Sequence, residues 1–268
     1  MIGNGLDADG CIAREGSPAR VPAGFVPVVD AARARITAAF GPDRLHSAYL
    51  YGSIPRGTAV PGVSDLDLLL ALHHPPTPDD RAAADALEAA LDSTLPQVDG
   101  VGVLLSDTAT LLSDAERHDM GWFLACLCTP LLGPDLAERL PRYRPTSLLA
   151  RETNGDLALA LPGWRARLAA ADSEAELRAL SRAVSRRLVR TGFTLVMPRW
   201  NGWTSDLAAS AEAFAAYYPG HAERMRLAAA VARTPTTDRG VLADLIDGLG
   251  PWLAAEYTAV HGEKAPRP

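Results

Sequence analysis

Two acidic residues two positions apart, Asp65 and Asp67 in Ser64-Asp65-Leu66-Asp67-Leu68, follow a Gly52-Ser53 pair closely enough to do phosphate chemistry together. On a strand, residues two apart share a face, so both carboxylates point one way while Leu66 and Leu68 point into a core. Adjacent carboxylates repel. That cost is tolerated where a cation neutralises it, and a hard Mg²⁺ held by one or two carboxylates and substrate phosphates fits. Gly52-Ser53 lets a backbone approach closely and, if a helix begins there, offers amides to a phosphate. The competing reading of the acid pair is a polar strand end facing water. A third acid, Asp99, stands among Val98, Val101, Val103 and Leu104, an expensive place for a charge, where it would ligate a metal or take a proton. Its competing reading is a turn residue ahead of Gly100.

Such side chains need elements to hold them. Residues 28–40 have helical spacing between Pro27 and Gly41-Pro42, which predicts a helix ahead of the first strand. Strands are expected over 46–51 and 64–72, paired with each other across the Pro- and Gly-rich connector. A crossover helix over 78–91, opened by Asp79 and Asp80, leads to a strand over 98–105. A helix over 109–125 follows, then a turn at Gly133-Pro134-Asp135. From about residue 145 the chain becomes Ala-, Leu- and Arg-rich with helical spacing over 148–168, 174–195, 206–217, 222–231 and 241–260. The expected fold class is therefore α/β (α+β), a mixed-sheet N-terminal domain followed by an α-helical bundle. The boundaries read as a flexible arm over 1–22, the sheet domain over 23–144 and the bundle over 145–268.

Composition removes several other classes of function. With 268 residues, 48% hydrophobic, the chain can bury one large core or two modest ones. A formal net charge of -6 argues against holding long nucleic acid by charge, which needs a basic footprint. Lys264 is the single lysine, which removes phosphate-loop and Schiff-base lysines and leaves anion binding to arginine or backbone amides. Cys126 and Cys128 lie in an apolar run where a strand would point both thiols one way, as buried small hydrophobes. The histidines show no metal-ligand spacing with the cysteines and read as surface or helix-end groups. No basic leader with an apolar core opens the chain and no run is long enough to span a membrane, so a cytoplasmic protein is expected.

Gly-Ser, a spacer of 11 residues (54–64) and Asp-hydrophobic-Asp resemble the nucleotidyltransferases of the DNA polymerase β superfamily, in particular the adenylyltransferases that modify the aminoglycosides streptomycin and spectinomycin. Leu50-Tyr51-Gly52-Ser53 and Ser64-Asp65-Leu66-Asp67-Leu68-Leu69 carry the match. The resemblance runs on through Pro130-Leu131-Leu132-Gly133-Pro134, similar to the interdomain link, and Thr204-Ser205-Asp206-Leu207, similar to the bundle segment that closes over ATP. The family usually carries a lysine before that aspartate; Ser205 stands there, so one triphosphate contact is missing or supplied by arginine. Arg190 resembles the family's other phosphate contact. It belongs to the run Arg182, Arg186 and Arg190, which one helix face would present together, as a phosphate clamp or as a solvated surface. Arg56 resembles the Gly-Ser-x-x-Arg-Gly variant of the motif, with a reach to phosphate.

The resemblance implies transfer of AMP from ATP to a hydroxyl of a small acceptor, an aminoglycoside or aminocyclitol, with pyrophosphate released and antibiotic resistance as one physiological outcome. Asp65, Asp67 and Asp99 would be the catalytic and metal-binding residues, holding two Mg²⁺ ions, with Asp99 also the base. Gly52, Ser53, Arg56, Ser64, Arg190 and Ser205 would meet the nucleotide, and Trp122 the acceptor, with a place in the core as the competing reading of Trp122. A Trp200-Asn201-Gly202-Trp203 turn would stack on a ligand or cover apolar surface. Other readings are adenylylation of a biosynthetic intermediate or, as in antitoxin-like enzymes, of a protein side chain. A noncatalytic nucleotide-binding module is the reading from another class.

Overall fold

The computed structural model describes residues 4–266. It divides into two compact units, Ala13–Tyr143 and a second one made of residues 4–12 with 144–266.

In the first unit, α1 (Val26–Arg44) begins where Pro27 presets its first turn and buries Val28, Val29, Ala32, Ile36 and Phe40 on one face. Gly41, at φ 62, kinks its end. Then come β1 (Leu45–Tyr51), the single turn α2 (Ser53–Arg56), β2 (Leu66–Leu72), α3 (Pro78–Asp92), β3 (Val101–Asp107), α4 (Thr108–Leu111), α5 (Met120–Leu127) and β4 (Thr129–Leu132). The strands form one mixed sheet in the order β3-β2-β1-β4. β2 runs antiparallel to β1 and, after the α3 crossover, parallel to β3. This is the mixed-sheet α+β architecture expected from the sequence.

Central β2 explains the run Leu66-Asp67-Leu68-Leu69-Leu70-Ala71-Leu72. Its Leu66, Leu68, Leu70 and Leu72 join α1 and the Ala84, Leu87 and Leu91 face of α3 in one core. Leu69 and Ala71 point to the opposite face, into a second core with Tyr49, Leu111 and Leu124. Each fully buried leucine contributes about 2 kcal/mol. The strand is thereby fixed in register, since a one-residue slip would exchange its faces. Edge strand β3 is covered in part by α3, whose Glu88 Oε1 accepts the Val103 amide at 2.6 Å.

The start of α3 is held by a capping box between Thr77 and Asp80. Asp80 is 6% exposed and also accepts Arg44 Nε at 3.1 Å. Burial pushes its pKa up, but the Thr77 and Arg44 hydrogen bonds outweigh this and hold it below the ordinary aspartate value. A depressed carboxylate pKa stabilises the fold above the ordinary value and stops doing so as pH falls through the folded one. Asp80→Asn is expected to cost about 2 kcal/mol at neutral pH, with the difference from wild type shrinking in urea melts as the medium is acidified below the aspartate range.

Three local expectations change. The helix expected over 109–125 is broken into α4 and α5, because Asp107 caps a short turn through the Thr110 amide and residues 112–119 turn before Met120. Cys126 lies in the last turn of α5 and Cys128 is its C-cap, both buried, so no strand aligns the two thiols. β4, not anticipated, pairs antiparallel with β1 at the sheet edge. Pro130 is compatible with that place because an edge strand can spare one donor.

The second unit contains α6 (Ser147–Asn154), α7 (Leu157–Ala170), α8 (Glu174–Trp200), α9 (Leu207–Ala215), α10 (Ala222–Arg233), α11 (Arg239–Ala243), a π-helical turn (Asp244–Leu249) and α12 (Gly250–His261). The single helix expected over 148–168 is two, separated at Gly155 and Asp156. α8 is the centre, opened by a Ser173/Glu176 capping box, closed by Asn201 in the left-handed region and packed on α6, α7, α9, α10 and α12. Gly192 permits the closest approach, since a Cβ there would lie 2.3 Å from Met225 Cε on α10.

The segment expected as a flexible arm over 1–22 is instead divided between the units. Residues 1–3, and 267–268 at the other end, lie outside the described residues. Asp7 closes a turn by accepting the Cys11 amide, Cys11 and Ile12 are buried, and the Trp203 amide donates to the Asn4 carbonyl at 2.7 Å. Residues from Ala13 onward belong to the sheet unit. Among the described residues, no helix is long and apolar enough to cross a membrane.

Candidate active site

At the end of β1 the chain turns sharply at Gly52, with φ 81 and ψ -151, and enters α2. Only glycine takes that backbone geometry at little cost. Tyr51, the last residue of β1, is paired with Asp67 on β2, which sets the acid beside the turn. A Cβ on Gly52 would lie 2.4 Å from Asp67 Oδ2. The backbone and the carboxylate therefore approach as closely as a missing side chain allows. Asp65 and Asp67 are both half-buried and share the face of β2 opposite Leu66 and Leu68. Asp67 is thus set against Gly52, with Asp65 two residues before it.

Asp99 is not brought to them. Leu66 pairs with Val101 and Asp67 with Gly102 in the parallel β2–β3 ladder, and the Asp99 amide donates to the Ser64 carbonyl at 3.1 Å. By alternation the positions beside the pair are Gly100 and Gly102, while Asp99 precedes the strand in a bend and is exposed. Cβ atoms there would lie 3.8 Å from Asp65 Oδ1 and 3.9 Å from Asp67 Oδ1, with no closer neighbour. Among the described residues no group of three or more His, Cys, Asp or Glu side chains is arranged to hold a metal. The Asp65–Asp67 pair thus lies beside Gly100 and Gly102, a glycine floor, with Asp99 one residue ahead of it.

The other expected contacts fall into place separately. Ser64 uses its hydroxyl to accept the Val60 amide at 2.9 Å, closing the spacer loop. Arg56 Nε donates to the Gly52 carbonyl at 2.9 Å, and its Nη1 lies 3.8 Å from Glu15 Oε2. Trp122 is 6% exposed in α5, the interior position that its competing reading gave it. In the helical unit Arg190 is exposed on α8, with Arg186 and Arg182 half-buried one and two turns earlier. Ser205 is half-buried just ahead of α9, whose N-terminus Asp206 caps through the Ala209 amide. Trp200 and Trp203 both meet Phe193 edge-on at 5.5 Å, and Trp203 is buried, so this pair completes a core.

A mixed four-stranded sheet carrying this turn and acid pair, together with a helical unit, makes an α+β fold that is also found among solved structures. Among solved structures, the chain resembles spectinomycin adenyltransferase AAD(9) from Enterococcus faecialis, a crystal structure with ATP and spectinomycin, at a TM-score of 0.51 and 14% identity. The match covers 87% of this chain and 98% of that one. No protein-family model matches the chain, and no curated protein sequence does.

Proposed function

We propose that the protein is a Mg²⁺-dependent nucleotidyltransferase that moves AMP from ATP to a hydroxyl of a small acceptor of the aminoglycoside or aminocyclitol class and releases pyrophosphate. The observation that carries this reading is the Asp65–Asp67 pair at the start of β2, Asp65 just before the strand and Asp67 on it, directly over Gly52. The ligands of the AAD(9) structure, ATP and spectinomycin, supply the donor and the acceptor class.

The residues present fit a magnesium ion. Two half-buried carboxylates share one strand face, and Mg²⁺ is usually held by one or two carboxylates together with substrate phosphates, not by an all-protein cage. Asp65 and Asp67 would hold it, and when bound it would neutralise triphosphate charge and polarise the α-phosphorus. The acceptor oxygen forms the new bond to that phosphorus, the bond from it to the α–β bridging oxygen breaks so that pyrophosphate leaves with that oxygen, and the hydroxyl proton passes to solvent. Most of the chemistry is positioning and charge. Gly52 and Ser53 would meet the triphosphate with backbone, and Ser64 would serve by shaping the spacer loop.

Arg190 would supply a cationic phosphate contact. Arg190→Ala is expected to raise the apparent KM for ATP about tenfold, as loss of one charge-assisted hydrogen bond would, with kcat within about twofold. An unchanged KM in initial-rate measurements would assign the residue to the solvated surface.

A second reading is a nucleotide-binding module without transfer, favoured by glycines where a third acid would stand. Mass spectrometry separates the two. The protein is incubated with Mg²⁺, each nucleoside triphosphate and a panel of aminoglycosides and aminocyclitols, with the protein itself included among the analytes. A nucleotide-sized gain on one compound establishes the transferase; a gain on the protein redirects the acceptor to a side chain; nucleotide binding with no gain supports the module.

A further inference from the structure

We propose that residues 13–20 form a strap that positions the Gly52-Ser53 turn, with Arg56 and Glu15 as its positioning residues. The significance for nucleotide rests on the function proposed above.

The strap is tied down along its length. Arg14 Nε donates to the Ala125 carbonyl at 3.1 Å and its Nη1 meets Asp135 Oδ2 at 2.7 Å. The Glu15 amide donates to the Cys126 carbonyl and the Ser17 amide to the Pro55 carbonyl, each at 2.9 Å. Arg20 Nη1 returns to the Glu15 carbonyl at 2.8 Å. Contact with α2 is close: a Cβ on Gly16 would lie 3.0 Å from Pro55 Cβ and 2.2 Å from Thr129 Oγ1, and one on Gly57 would lie 2.8 Å from the Arg20 carbonyl. Strap and turn are therefore closely fitted, Gly16 against the Pro55 and Thr129 side chains and Gly57 against the Arg20 backbone.

Arg56 completes the arrangement. A trans peptide is planar, with its carbonyl and amide hydrogen on opposite sides. Because Arg56 Nε holds the Gly52 carbonyl, the Ser53 amide of that same peptide is directed the other way. Glu15 lies at the far side of the guanidinium and biases it toward this use. Arg56 thus acts on the peptide that would meet phosphate, where the sequence alone suggested a phosphate ligand.

The two roles for Arg56 predict opposite signs. If it binds phosphate directly, Glu15→Gln removes a competing anion and MgATP binds more tightly. If it positions the turn, the same change loosens Arg56 and MgATP binds less tightly, by about threefold for a partly exposed ion pair. Gly16→Ala displaces the strap and is expected to weaken MgATP about tenfold. The measurements are calorimetric titration of the full chain with MgATP and hydrogen exchange at Gly57 and Thr58, whose amides donate to Ile54 and Ser53 carbonyls within the turn. Faster exchange at both amides in both variants, with weaker MgATP binding, is the expected result. Unchanged exchange overturns the strap, as does tighter or unchanged MgATP binding in Glu15→Gln. Faster exchange in a protein whose wild type does not bind MgATP keeps the strap and overturns the proposed function instead.

Discussion

Asp67→Asn is expected to abolish the proposed nucleotide transfer, lowering kcat/KM by at least about a thousandfold, while the protein melts within a few degrees of wild type. Asparagine has nearly the same shape and can occupy the same half-buried place opposite Tyr51. What it lacks is the charge that would hold a divalent cation against triphosphate. A loss of about 4 kcal/mol of transition-state stabilisation corresponds to that factor. Stability is protected for a separate reason: neutralising one member of the Asp65–Asp67 pair removes like-charge repulsion. Pyrophosphate release and a thermal melt on the same preparation check both halves. Near wild-type turnover would reject the acid pair as the seat of the reaction.

Gly52→Ala has the second largest expected effect, and here fold and function fall together. The residue occupies φ 81, ψ -151, a region that only glycine enters readily, so alanine costs about 1–3 kcal/mol in backbone strain alone. Its Cβ would also stand 2.4 Å from Asp67 Oδ2 and 3.4 Å from Asp67 Cγ, so the acid must leave its place. Activity is expected to fall at least about a hundredfold in the fraction that remains folded. Gly62→Ala is the matched control. Gly62 also has positive φ, at 69, but nothing lies within 4 Å of its Cβ position, so a cost of about 1 kcal/mol with activity retained is expected. Equal losses in the two variants would show that backbone strain, and not the approach of Asp67, governs the effect.

The parts of this architecture written as periodicity were readable before any coordinates. β1, β2 and α3 follow from alternation and capping, and the helical second half follows from its spacing. The Asp65–Asp67 pair could be placed on one face because a period of two needs no tertiary information. Asp99 shows where such reasoning stops. Its residue type and apolar surroundings were visible, but the face it takes depends on the register of a parallel partner, and one residue of register reverses it. Arg56 shows a second limit. Its charge was legible, whereas the use of its Nε on the Gly52 carbonyl depends on the conformation of a single turn. The strap was hidden for a third reason: residues 13–20 have no periodicity, and their order comes from bonds to Ala125, Cys126 and Pro55, all distant in sequence. β4 is short, contains Pro130 and exists because β1 offers it an edge.

The glycine floor at positions 100 and 102 has a meaning in the genetic code. Every glycine codon becomes an aspartate or glutamate codon by one change at its second base, so a carboxylate beside Asp65 or Asp67 is a single nucleotide away from this gene. The space already exists at both positions, since neither Cβ would meet an atom closer than 3.8 Å. A lineage with this fold can therefore cross between two-acid and three-acid centres in one mutational step, without rebuilding the sheet. Saturation mutagenesis of these two codons under selection would show in which direction that step is favoured.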